Sequence, residues 1–407
     1  MNLKQTKRIL LIMPYGSVGG MERLALSFYN FYKEQGFYVK ALKFIKLEND
    51  IINFNEDELY LSDKDFSSMP KKNRLLFYYK TPKSIKNIVK THNITHSIAF
   101  GDMANLFSSL SFSSEFKIGS IHALKSAEFK HNTLFHKLTK LGYKTSYKKL
   151  NKLVCISKAI KKDLKENCGY RFSNTTVIYN PHDIASIKKL SLEHITDKNE
   201  IEIFSKKTIL FLGRLSIQKS PWHFIVAFKE VLINAPETNL VLIGDGDPNV
   251  TKYITTLIKT LKIENNVFLL GRRSNPYKYL KATNALVLSS YYEGTPNVIV
   301  ESIALGTPIV STYCTEGIIE LMSKTKHVES RDNIETESGI VTPNLFKGTL
   351  NIPQVQNNLI LDDEKKLAQA LLKILINNEK YKNLLNDNKS SLLDKFDLSK
   401  VSLKYLE

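Results

Sequence analysis

Glu293 and Glu301 are two carboxylates that bracket the segment Gly294-Thr295-Pro296-Asn297-Val298-Ile299-Val300. An apolar, strand-like run at 284–289 leads into them. Pro296 suits the first turn of a helix, where its missing N–H would have no partner anyway. The spacing therefore predicts a strand, a glycine turn, and a helix from near Pro296 to near Gly306, with Pro308 beyond it. One carboxylate precedes the helix and the other lies about one turn inside it. Between them stand the free N–H groups of a helix N-terminus, which attract phosphate. Such a site suits a ligand with hydroxyls at both ends and phosphates in the middle, the layout of a nucleotide sugar.

A second candidate is Gly213-Arg214-Leu215-Ser216-Ile217-Gln218-Lys219-Ser220. Arg214 offers a planar fork of donors and Lys219 a point charge, and both suit a pyrophosphate. Cations in this position offset the charge of a departing nucleoside diphosphate without a metal. A third is Gly16-Ser17-Val18-Gly19-Gly20-Met21-Glu22-Arg23, where small residues let backbone approach a ligand before a helix starts near Met21. Gly244-Asp245-Gly246-Asp247 lacks the third glycine and the downstream acid of a dinucleotide fingerprint, and reads as a turn. His122 and Asp102 each follow a strand-like run, at the end where open α/β sheets bind ligands. The bland alternatives are a buried structural histidine, a tight strand-to-helix turn, and two solvated surface cations.

These residues need a scaffold of strand ends. Strand-like runs at 8–15, 37–44, 96–100, 117–122, 152–157 and 175–179 alternate with helix-length segments. A second set lies at 208–213, 239–244, 267–271, 285–289, 308–312 and 339–341. Short apolar strands separated by helices indicate parallel sheets buried on both faces. At 407 residues the chain has room for two domains. The expected division is 1–180 and 181–391, at Asn180-Pro181-His182-Asp183, with a short amphipathic helix at 392–407 that packs back on the first domain. Residues 186–206 read as a linker or irregular helix, and 328–356 as a long loop with one strand.

The formal net charge is +18. Residues 1–180 carry +16 of it, and the rest of the chain +2. That concentration points to an anionic partner of the first half. In 134–152, Lys137, Lys140, Lys144 and Lys148 form one helical stripe and Leu134, Leu138 and Leu141 another. Phe135, Tyr143 and Tyr147 add aromatics. This pattern fits a helix lying on an anionic bilayer; a solvated basic face is the plain alternative. The three cysteines have no CxxC spacing, which argues against a disulfide framework or a zinc site and fits a reducing compartment. Residues 9–13 after Lys4, Lys7 and Arg8 are too short for a signal peptide and are interrupted by Pro14, so they read as a first strand. No run approaches the roughly 20 apolar residues of a membrane span.

Taken together, the motifs resemble the retaining glycosyltransferases of family 4. The resemblance extends over nearly the whole chain and implies a GT-B fold, an α/β architecture of two doubly wound Rossmann-like domains facing a central cleft. Gly19-Gly20-Met21-Glu22 resembles the family's N-terminal glycine loop, Gly213-Arg214-Leu215 with Gln218-Lys219 its phosphate segment, and Glu293 to Glu301 its E-x7-E motif. The resemblance implies that Arg214 and Lys219 hold the donor diphosphate. Glu301 would bind the ribose and Glu293 the transferred sugar, with Gly294, Thr295, Asn297 and Val298 around the phosphate. Arg272 would line the base pocket. His122 would lie by the reacting carbon with Asp102 on the acceptor side, and Gly19 and Gly20 would border the diphosphate. His122, Arg214, Lys219 and Glu293 form the expected catalytic set. Pro296 departs from the family by removing one N–H from the phosphate loop, and His182 stands where glycine is common.

The implied reaction moves a hexose or N-acetylhexosamine, from UDP in preference to GDP, to a lipid-linked or surface-glycan acceptor, as in lipopolysaccharide or capsule assembly. It needs no cofactor or metal. The implied location is cytoplasmic, at the inner face of the membrane. A GT-B sugar-nucleotide epimerase and a basic nucleic-acid-binding module are the rival readings. The second is disfavoured because no recognition motif with interleaved aromatics is present.

Overall fold

The computed structural model describes residues 7–15, 20–47, 50, 52–66, 68–129, 133–353 and 360–407. The chain forms two compact units, Met1–Pro181 with Lys395–Glu407, and His182–Asp394. Each is built on a seven-stranded sheet.

In the first unit the strands are β1 (Arg8–Met13), β2 (Tyr38–Ile45), β3 (Glu58–Ser62), β4 (His96–Phe100), β5 (Phe116–Ile121), β6 (Lys152–Cys155) and β7 (Thr175–Val177). Their order is 3-2-1-4-5-6-7, and all pairs are parallel. The helices are α1 (Gly20–Glu34), α2 (Lys71–Thr91), α3 (Asp102–Leu110), α4 (Lys125–Glu128), α5 (Leu134–Lys144) and α6 (Lys158–Glu166). β1 shows why both faces must be covered. Ile9, Leu11 and Met13 pack with Phe28 and Tyr32 of α1, whereas Leu10 and Ile12 pack with Ile85 and Val89 of α2. Successive side chains of a strand point to opposite faces, so an unbroken apolar run demands helices on both.

The second unit opens with α7 (Ile184–Leu190) and α8 (Lys198–Ser205). Its strands are β8 (Thr208–Leu212), β9 (Asn239–Ile243), β10 (Val267–Gly271), β11 (Ala285–Leu288), β12 (Ile309–Thr312), β13 (Ile334–Thr336) and β14 (Gly339–Thr342). The order is 10-9-8-11-12-14-13, parallel except for the β13–β14 pair. The helices between and after them are α9 (Pro221–Asn234), α10 (Pro248–Leu261), α11 (Tyr277–Ala282), α12 (Asn297–Leu305), α13 (Glu316–Met322), α14 (Asp362–Ile376) and α15 (Asn378–Leu393). The chain then rejoins the first unit through α16 (Leu398–Tyr405), whose Tyr405 ring lies 4.8 Å from Phe28. Tyr32 Oη donates to the Ser402 carbonyl at 2.7 Å.

Both sheets are doubly wound. The chain runs outward from a central strand, then crosses to its other side, between β1 and β4 and again between β8 and β11. Ligands of open α/β sheets bind outside the carboxyl ends of the strands at such a switch point.

Several expectations need correction. Residues 186–206 are not an irregular linker: Asp183 caps α7, and Asp197 caps α8 by accepting from the Asn199 and Glu200 N–H groups. Among the described residues of 328–356 lie two strands rather than one, and β3 adds a further one. β3 and β13 are short edge strands without an apolar run, so periodicity does not reveal them. Pro296 is the N-cap of α12, with an extended backbone, not its first helical residue. The basic helix at 134–152 ends at Lys144, and Lys148 lies in the 3-10 turn after it. Tyr143 and Tyr147 are wholly buried core residues, not interfacial aromatics.

Candidate functional site

In the second unit the residues of interest hang from the ends of β8 and β11. Ser220, the residue before α9, adopts a left-handed backbone (φ 39°). Its hydroxyl donates to the Ser289 carbonyl, and the Ser289 hydroxyl donates back to the carbonyls of Lys219 and Ser220 at 3.0 and 2.9 Å. Gln218 adds two further ties: its carbonyl accepts from the Tyr291 N–H at 2.8 Å, and its side-chain amide donates to the Tyr292 carbonyl at 2.9 Å. The two loops therefore form one rigid piece. On it, Lys219 Nζ pairs directly with Glu293 Oε1, and both side chains are largely buried.

Beyond Glu293 the backbone turns into α12, which has no side-chain cap. Pro296 brings no N–H, and no protein acceptor meets the N–H groups of Asn297 and Val298 among the described residues. The Thr295 hydroxyl beside them is buried and has no partner. These are the orphan donors of a helix start, which an anion satisfies. Glu301 lies one turn into α12, with Tyr277 Oη 3.5 Å from its carboxylate. A Cβ on Gly317 would stand 2.6 Å from the Gly294 carbonyl oxygen. Glycine there lets the start of α13 abut the same turn. Arg214 and Arg272 are both exposed, in the loops after β8 and β10.

Gly244 and Gly246 have a structural reason. A Cβ at Gly244 would lie 1.9 Å from the Gly213 carbonyl oxygen, and one at Gly246 2.1 Å from that of Leu215. Leu215 N–H donates to the Asp245 carbonyl and Asp247 N–H to the Leu215 carbonyl, at 2.9 and 2.8 Å. The turn thus backs the loop that carries Arg214.

Pattern reading missed the group that holds Tyr291. Trp222 Nε1–H donates to Tyr291 Oη at 3.2 Å, and His223 Nε2 lies 2.9 Å from the same oxygen. His223 Nδ1 is 2.7 Å from Glu364 Oε1, while Glu364 Oε2 accepts from the Leu361 N–H. All members are buried. One assignment satisfies every proton: Trp222 donates to Tyr291, Tyr291 to His223 Nε2, and His223 Nδ1–H to Glu364. The one available signal was His223 four residues after Lys219. Burial, reinforced by the Glu293 carboxylate, pushes the Cys314 thiol well above the usual range.

In the first unit His122 and Asp102 follow β5 and β4. Gly101, at φ 83°, caps α3, and a Cβ there would meet Met21 Sδ at 3.0 Å. Asp102 pairs with Lys125 at 3.0 Å, and Lys125 also pairs with Glu128 at 2.6 Å. Ser120 Oγ donates to the Ala99 carbonyl, so His122 Nε2, 2.8 Å away, is the donor to Ser120. Nδ1 is left as an acceptor. Burial first, then the nearby Lys125 ammonium, holds the ring neutral down to about 3. Gly20 is the exposed first residue of α1, and Gly19 lies outside the described residues. Each unit thus gathers its own candidates: Lys219, Glu293, Gly294, Thr295, Asn297, Val298 and Glu301 in the second, and Asp102 and His122 in the first.

Residues 18–186 match the model of Glycosyltransferase Family 4, and residues 194–337 that of Glycosyl transferases group 1. An uncharacterised glycosyltransferase of Methanocaldococcus jannaschii is 29% identical over 274 residues, covering 66% of this chain and 65% of that protein. The N-acetylgalactosamine-N,N'-diacetylbacillosaminyl-diphospho-undecaprenol 4-alpha-N-acetylgalactosaminyltransferase of Campylobacter jejuni is 27% identical over 264 residues, covering 64% and 61%. The chain therefore spans just under two thirds of the first relative's length and about three fifths of the second's. Among solved structures, Anabaena Alr3699/HepE in complex with UDP and glucose has a TM-score of 0.69 at 18% identity, over 98% of both chains. A glycosyltransferase model thus matches a stretch in each half of the chain, and the two-sheet architecture is the GT-B fold.

Proposed function

We propose that the chain transfers a hexose or N-acetylhexosamine from a UDP-sugar to a lipid-linked glycan acceptor, with retention of configuration. One observation carries this reading: the Lys219–Glu293 pair stands at the switch point of the second sheet, beside the uncapped start of α12. A cation, a carboxylate and unpaired N–H donors match a sugar diphosphate in order. The second unit binds the donor. Lys219 and Arg214 hold the diphosphate, Glu301 the ribose, Arg272 borders the base, and Glu293 receives sugar hydroxyls. The first unit, with His122, Asp102 and the Gly19-Gly20 loop, serves the acceptor side.

In the transfer, the bond from the anomeric carbon to phosphate oxygen breaks, and the acceptor oxygen bonds to that carbon on the same face. The acceptor proton passes to the departing phosphate oxygen, whose charge Arg214 and Lys219 offset. This route calls on no metal. UDP is favoured because Alr3699/HepE binds it, and a lipid-linked acceptor because the Campylobacter relative is named for one. The reaction is placed at the cytoplasmic face of an anionic membrane. No described helix is long and apolar enough to cross a membrane. The test is a panel of nucleotide sugars, scored by thermal shift and by nucleoside diphosphate release with lipid-linked acceptors. Absence of binding by every donor, with Glu301→Ala unchanged in all assays, would overturn the reading.

A further inference from the structure

The first unit holds a groove of about 310 Å³ between α2, α3 and α5. Its walls are almost wholly apolar: Tyr79 from α2, Leu106 and Leu110 from α3, and Phe135, Leu138 and Leu141 from α5. Apolar side chains of α2 and α5 also stand exposed. Tyr79 is 84% exposed, Leu75 64% and Leu141 57%. An exposed apolar patch of this kind marks a binding surface.

The charge on α2 and α5 is of one sign. α2 carries Lys71, Lys72, Arg74, Lys80, Lys83, Lys86 and Lys90 and no acid, and α5 carries Lys137, Lys140 and Lys144 and no acid. Helical spacing puts Lys72, Leu75, Leu76, Tyr79, Lys83 and Lys86 on one face of α2. On α5 it puts Lys137 and Lys144 beside Leu141. None of these lysines forms an ion pair among the described residues. Each helix thus sets an apolar centre between cations.

We propose that this groove seats the hydrocarbon chain of a phosphate-headed lipid, with the α2 and α5 lysines on its phosphate. The inference rests on the reading that the protein works at a lipid surface, and it assigns a chain-binding site where that reading has only surface charge. The size of the groove decides between occupants. An α-helix about 10–12 Å across would fill this volume within one turn, so a thinner occupant such as a single alkyl chain suits it. A second copy of the chain would bring the same unopposed lysines against themselves.

The experiment uses the whole protein and submicellar alkyl phosphates from hexyl to dodecyl, read by calorimetry, with inorganic phosphate and dodecyl maltoside as controls. Dodecyl phosphate binds, inorganic phosphate does not, and each methylene removed weakens binding about fourfold. Thr145→Trp, which fills the groove, and Leu138→Asp, at an exposed position, each weaken dodecyl phosphate binding at least tenfold. Lys83→Glu with Lys144→Glu does the same and erases the preference over dodecyl maltoside. Affinity independent of chain length, or unchanged by Thr145→Trp and Leu138→Asp, overturns the proposal. So does displacement of dodecyl phosphate by an acidic amphipathic peptide, which would give the groove to a protein partner. Thermal protection by UDP-sugars, measured on the same samples, separates the two readings. Protection without alkyl phosphate binding removes only the groove; alkyl phosphate binding without protection removes only the donor site.

Discussion

Lys219 and Glu293, 74 positions apart, form a direct ion pair that joins the loop after β8 to the turn before α12. On the proposed function, the pair presets the donor site. A cation already neutralised by Glu293 would shift part of its contact to an incoming diphosphate, and the freed carboxylate would then accept from sugar hydroxyls. Binding of phosphate and of sugar would be coupled through this one contact.

That coupling is open to a double-mutant cycle. Lys219→Ala should lower kcat/KM about 100- to 1000-fold, the usual loss when one charge-stabilising donor is removed from an active site. Glu293→Gln should cost a similar factor. The double variant should be far less damaged than the product of the two, because the residues act as a unit. Full additivity in steady-state kinetics would show that they work separately.

Glu301→Ala should weaken nucleoside diphosphate binding by roughly 10- to 150-fold, the range for loss of hydrogen bonds to a charged group. Isothermal titration with UDP reads this directly. The melting temperature without ligand should stay near that of the parent, since Glu301 is only partly buried.

Tyr291→Phe should destabilise the second unit by about 1–3 kcal/mol, because it strips a partner from the buried Trp222 N–H and from His223 at once. Urea denaturation gives the number. Because Tyr291 lies two residues before Glu293, the variant should also raise KM for the donor. Unchanged stability and KM would mean the group is slack.

Gly244→Ala and Gly246→Ala should each cost about 3 kcal/mol or more, since a Cβ would lie within 1.9 and 2.1 Å of backbone oxygens that cannot retreat alone. Gly20→Ala is the contrast: nothing lies within 4 Å of its added methyl group, and thermal unfolding should barely move.

His122 supplies a pH signature. The folded ring is held neutral to about 3, while a histidine in the unfolded chain titrates near 6.5. Between these values only the unfolded state binds the proton. The contribution to stability is therefore intact above about pH 6.5 and is lost progressively as pH falls through the window. In NMR spectra, the His122 resonance, assigned by comparison with His122→Gln, should not shift between pH 5 and 8. A midpoint near 6.5 would place the ring in open water.

The sequence by itself determined the architecture and the strand ends that bear the candidate residues. Apolar runs such as 9–13 and 209–212 require sheets covered on both faces, and the glycine and helix-start signals at 213–220 and 293–301 are local chemistry. The edge strands β3 and β13 escaped because a few residues pairing along one side need no apolar run. Tertiary structure alone decided who meets whom. Lys219 finds Glu293, and His223 finds Glu364 141 positions away, because parallel crossovers bring distant strand ends together. It also decided that Tyr143 and Tyr147 turn inward while Leu138 and Leu141 face out. The periodicity of a helix fixes which residues share a face, but only the packed neighbours determine which face is buried.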